Sequence, residues 1–164
     1  MGLWRRGGQR TKGEHDEVVI LGREVIACAY PSELVVFDDV ACELRRGRVP
    51  SARRTRPPAE PDAPADSISP ALIGVLQALA AAVGAGSSGA SGPAGSLAEP
   101  GRRRIATLLN RHPGAGALDP SEEASVHETL VEAAMTRHAL DRDNAEQLGT
   151  AVIGALRLRA DGRL

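Results

Sequence analysis

The sequence predicts a mainly α protein: a small C-terminal bundle of about four short helices, preceded by a short β-hairpin or three-strand segment with one short helix. Three observations carry this reading. Apolar residues recur at helical spacing from residue 70 onward, whereas β-branched runs crowd residues 17–37. Stretches rich in proline or in glycine and serine separate the parts, at Arg48–Asp66 and at residues 84–100. Apolar residues form 42% of the 164-residue chain but aromatic ones only 2%, and Trp4, Tyr30 and Phe37 are the only rings. A core of Ala, Val, Leu and Ile buries little area per residue, at about 25 cal/mol per Å². Modest stability, or a partner that completes the core, is the expectation.

Residues 1–16 read as a disordered basic tail, since Arg5, Arg6, Arg10 and Lys12 precede the first acid at Glu14. Residues 17–47 read as the β-leaning unit. Glu17–Leu21 is a β-branched run, Gly22-Arg23 a two-residue turn, and Glu24–Tyr30 the second strand of a hairpin. Pro31-Ser32 breaks the chain before a third apolar run, Glu33–Phe37. Asp38–Arg46 follows as a short helix, with Asp38 and Asp39 at its positive end, Arg45 and Arg46 at its negative end, and Gly47 as cap. Val40, Ala41 and Leu44 fall on its inner face. So small a unit needs something to pack on.

Arg48–Asp66, with five prolines and the arginines Arg53, Arg54 and Arg56, reads as an extended linker. Residues 67–160 form the helical region, interrupted by the Gly/Ser loop 84–100, and residues 161–164 are a tail. Ser69-Pro70 is a helix start, and Leu72, Leu76, Leu79 and Val83 make an apolar stripe along Pro70–Val83. Ile73, Val75, Ala78 and Ala82 make that helix apolar all round, a pattern that means burial. Arg102–His112 is the second helix, with Ile105, Leu108 and Leu109 inward. Asp119-Pro120-Ser121-Glu122 is the strongest local signal: an N-cap, a proline at the first helical position and a capping-box glutamate. The third helix runs to about Ala139 with Val126, Leu130, Val131 and Ala134 inward. Asp143 with Glu146 repeats the capping pattern before a fourth helix, on which Leu148, Val152, Ala155 and Leu156 align.

Several chemical motifs fail on context. Gly84-Ala85-Gly86-Ser87-Ser88-Gly89 fits G-x-G-x-x-G, but a helix precedes it, Gly92 and Pro93 follow it, and no acid lies twenty residues on. No cofactor is expected. His127-Glu128 begins a zinc-protease motif, yet Val131 stands where the second histidine belongs, and Cys28 and Cys42 lack the paired spacing of zinc ligands. The four histidines, His15, His112, His127 and His138, read as exposed or helix-end residues. The cysteines read as two buried free thiols, and the cytoplasm is the default compartment. No catalytic nucleophile stands out, and no enzyme activity is expected.

The leading expectation is therefore a non-catalytic helical interaction module, an adaptor, regulatory or accessory protein that binds a protein partner or itself. Leu72, Leu76, Leu79 and Val83 are its candidate partner-binding residues. A second expectation is a small membrane-associated protein anchored through helix 70–83, although Pro70–Gly86 is shorter than the roughly twenty residues of a span. A third is weak nucleic-acid binding, with Arg102, Arg103 and Arg104 as phosphate contacts. It is disfavoured by a net charge of −1 and by the lack of rings to stack bases after Phe37.

Overall fold

A computed structural model describes residues 12–46, 68–84, 99–110 and 116–163. Among these residues the chain is 88% helical, with six helices and no strand. The helices are α1 (Lys12–Ala29), α2 (Leu34–Arg45), α3 (Ile68–Gly84), α4 (Glu99–Leu109), α5 (Pro120–His138) and α6 (Arg142–Ala160), with a 3₁₀ turn, Pro31–Glu33, between α1 and α2. Most of the basic tail, the proline-rich linker and most of the Gly/Ser loop lie outside the described residues.

The predicted β segment is overturned. Both strands of the expected hairpin, Tyr30 excepted, and its turn lie inside α1, and Leu34–Phe37 forms the first turn of α2. The reason is visible in which residues are buried. Val18, Leu21, Val25 and Ile26 are core residues and Gly22 is buried with them, so the inward positions follow i, i+3, i+4, i+7 and i+8. β-branched content suggested strands, but side-chain period and tertiary packing decided for helix. Gly22 is not a turn residue. A Cβ on Gly22 would lie 2.7 Å from Cζ of Phe37, so the missing side chain is what lets the one phenylalanine pack against α1. Pro31 starts the 3₁₀ turn, and α2 begins four residues before the expected Asp38, which leaves Asp38 and Asp39 in its second turn. Asp38 there accepts from Arg23 of α1 at 3.1 Å.

Helix α3 is the central element and packs on α1, α2, α4 and α5, while α6 packs on α5 and α1. Its expected cap also changes. Ser69 lies inside the first turn and is fully buried rather than standing before it. Glu33, far back in the chain, takes the capping role: Oε1 accepts from the Ile68 amide at 3.1 Å, and Oε2 accepts from the Ser69 amide at 3.0 Å and the Ser69 hydroxyl at 2.8 Å. A carboxylate on those orphan donors satisfies them and suits the positive helix end. α4 starts at Glu99, three residues before the predicted start, and ends at Leu109.

The C-terminal pair follows its local signals more closely. Asp119 accepts from the amides of Ser121 and Glu122, both at 2.9 Å, and Glu122 accepts from the Asp119 amide at 3.0 Å, completing the capping box. Helix α5 closes at His138, and Ala139 takes a left-handed conformation with φ 54°. At α6 the cap is Asp141, which accepts from the Asn144 amide at 2.9 Å, and not Asp143. The predicted inner residues Leu148, Val152, Ala155 and Leu156 are buried.

One contact ties the ends of the fold together. The Arg159 guanidinium, 3% exposed, bonds Glu24 of α1 at 2.7 Å and gives Nη1 to the carbonyls of Leu108 and Leu109 at 3.0 and 2.9 Å. It thereby caps the C-terminus of α4 from α6, with its own charge matched by Glu24.

Candidate functional site

The residues expected to meet a partner sit inside the bundle. Leu72, Leu76 and Leu79 are fully buried, and Val83 packs partly buried against the core. The stripe is covered by this chain's own helices. No helix among the described residues is long and apolar enough to cross a membrane. The three arginines of α4 do not form one exposed phosphate cradle. Arg102 is buried, Arg103 is exposed, and Arg104 reaches the capping-box Glu122 at 2.8 Å. The helix begins at Glu99, so Arg103 and Arg104 lie past its first turn. The thiols of Cys28 and Cys42 are free and, against expectation, exposed.

His138 stands at the end of α5, as expected, whereas His127 lies within that helix, and both rings are partly buried against glycines. The His127 ring lies between α5 and α6, with Nε2 at 3.3 Å from the Glu146 carbonyl oxygen and 3.4 Å from the Thr150 hydroxyl. A Cβ on Gly149 would come within 3.0 Å of that ring. His138 rests on Gly74 of α3, where any side chain would collide with the imidazole. Burial, and secondarily the charge of Arg137, holds the His138 pKa below its ordinary value of 6.5. Sequence spacing could not find these seats, because each joins residues from separate helices.

A groove of about 420 Å³ runs between α5 and α6. Val131 and Met135 give it an apolar floor, and Met135 is 41% exposed. Glu128 and Glu132 stand on the α5 rim. Arg142 and Glu146 close the other side as an ion pair at 2.8 Å, which raises the arginine pKa above its ordinary value. His127 lies at the inner end, on the Glu146 side. The spacing Val131, Met135 (i, i+4) is the ordinary signature of an apolar helix stripe, and Met is a side chain that adapts to different partners.

A second, more open depression on the far side of Glu146 is lined by Tyr30, Asp143, Gln147 and Thr150. Burial, with the nearby Glu33 charge, raises the Tyr30 pKa above 10.0, so its phenol stays protonated at neutral pH. On α2, Val35 is 76% exposed beside Val36. Among the described residues no group of three His, Cys, Asp or Glu side chains is placed to hold a metal ion. Compared with known proteins, the chain matches no family model, no curated protein and no solved structure.

Proposed function

We propose that this chain is a non-catalytic helical interaction module, an adaptor, regulatory or accessory protein that receives an apolar-faced helix of a protein partner in the groove between α5 and α6. The observation that carries the reading is Met135, a large apolar side chain 41% exposed over a groove whose floor continues to Val131. An amphipathic helix lays anchors at i, i+4 and i+7 into such a groove. The rim names the complement: Glu128, Glu132 and Glu146 against the single Arg142 favour a partner with lysines or arginines beside its apolar stripe.

The test uses a fluorescent amphipathic peptide with leucines at i, i+4 and i+7 flanked by lysines, and a scrambled peptide of the same composition. Anisotropy should show saturable binding of the first and at least tenfold weaker binding of the second. Met135→Glu should weaken the first by about tenfold or more, the size expected for losing a central anchor. Equal binding of both peptides, or binding unchanged in the variant, overturns the reading. Light scattering on the same samples distinguishes a second copy of this chain as the natural occupant, since Met135→Glu then dissociates a dimer.

A further inference from the structure

His127 stands in the wall of the α5/α6 groove. Of the described residues lining that groove it is the one histidine, the residue type that gains a charge between about pH 8 and 5. Two oxygens face its Nε2, the Glu146 carbonyl at 3.3 Å and the Thr150 hydroxyl at 3.4 Å. Thr150 gives its own proton to the Glu146 carbonyl at 2.9 Å, so both oxygens are left to accept, and the neutral ring carries its hydrogen on Nε2. A second proton therefore enters at Nδ1 and keeps those contacts, with the ring still seated against Gly149. Charge changes here without a change of shape.

The charged groups around the ring are mostly acidic. Glu128 and Glu132 line the groove from its own helix, and Glu146 with Arg142 lines it from α6. Glu123, one turn earlier on α5, is met by Arg157 at 2.6 Å. On the far side of Glu146 stand Asp143 and the protonated phenol of Tyr30. Helix α3, which also packs on α5, carries no charged residue, and Arg104 of α4 is held by Glu122 at the start of α5. The carboxylates of the rim favour an imidazolium while the groove stands open to water. A basic helix laid there opposes it in three ways. Its lysines repel the charged ring, they neutralise the rim, and its apolar face takes water from the imidazole. All three act in one direction.

We propose that His127 is a pH sensor for the α5/α6 groove: a proton taken up there releases a basic amphipathic helix that the neutral groove holds. The inference rests on the groove being the docking site of such a helix. Linkage makes the effect reciprocal, so the seated helix resists protonation of the ring as strongly as protonation resists the helix.

The test follows the lysine-flanked peptide by anisotropy on the full chain, from about pH 7.5 to about pH 5.5 at constant ionic strength. Affinity should fall roughly fourfold, the effect of one unit charge met at about 5 Å in water. A peptide with glutamines in place of the lysines should lose most of that change. His127→Gln keeps a donor for the Glu146 carbonyl and carries no titrating charge, so it should bind as the parent does at the upper pH and show no fall. His138→Gln should keep the fall, which separates the sensor from the histidine against α3. In ¹H–¹³C spectra of the parent chain, the His127 ring should titrate at lower pH with the peptide bound than without it. Absence of saturable binding at the upper pH sinks the groove reading and the sensor with it. Saturable binding that is equally tight at both pH values, or a fall that survives in His127→Gln, overturns the sensor and leaves the groove standing.

Discussion

Helices α1 and α2 are fastened by partners remote in sequence, whereas α5 and α6 are fixed at their starts by side chains within three residues. Glu24 finds Arg159 across 135 residues, and Glu33 caps a helix that begins 35 residues later. Asp119 and Asp141 instead bond amides two or three positions on. The contrast teaches that the same fold uses two ways of satisfying helix ends, one written locally and one available only once the bundle has assembled.

The sharpest way to break this comparison is to remove the long-range packing of the N-terminal pair. Phe37→Ala empties the seat against Gly22 and should cost about 3–5 kcal/mol in chemical denaturation, a full aromatic truncation in a core with no other phenylalanine. Arg159→Ala removes the guanidinium bonded to the half-buried Glu24 and uncaps α4, for an expected loss of about 3 kcal/mol. The paired change Glu24→Leu with Arg159→Met should recover much of that loss, because a matched apolar pair leaves no orphaned charge. Additive losses in the double variant would show that Glu24 and Arg159 act independently.

Caps test the comparison at a smaller scale. Glu33→Ala removes three bonds from the buried start of α3 and should cost about 2 kcal/mol. Asp119→Ala, at an exposed start, should cost less. The reverse order in urea midpoints would place the weight of helix capping on the local pair instead.

The smallest effect is a pH dependence. The His138 pKa is lowered in the folded chain, so between that value and 6.5 the unfolded chain binds more protons. Stability contributed by neutral His138 is therefore complete above about pH 6.5 and is lost as pH falls through the lowered folded value. Melting temperature should drop between pH 7 and pH 5.5, and His138→Gln should flatten that segment. Asp119, Glu123 and Asp141 also have lowered pKa values, the first and third from backbone amides and Glu123 from Arg157. Their contribution is present above about pH 4 and is lost only below it, which separates the two windows.

The parts legible in the sequence were those whose cause is local. The Asp119 box, the inward stripe Leu148, Val152, Ala155 and Leu156, and the all-round apolar character of α3 can each be read within a few turns. The N-terminal half misled because Val18, Val19, Ile20, Val25 and Ile26 are β-branched, and that composition outweighed their i, i+3, i+4 spacing. Gly22 looked like a turn because its use, room for Phe37, lies fifteen residues away. Leu72, Leu76 and Leu79 were correctly seen as buried, but a stripe alone cannot say whether its cover is a partner or the same chain. The groove at Val131 and Met135 exists only after helices meet, and no single segment carries its signal.

The bond between Glu24 and Arg159 also has a consequence for the order of events in folding. The α5/α6 hairpin closes over a link of three residues, so it forms early and at small entropic cost. The clasp of α6 on α1 spans 135 residues and needs the intervening helices already in place. A contact made after the folding barrier slows unfolding without hastening folding. Arg159→Ala, at the seam where α1, α4 and α6 meet, is thus expected to speed unfolding in a chevron measurement while leaving the folding rate almost unchanged.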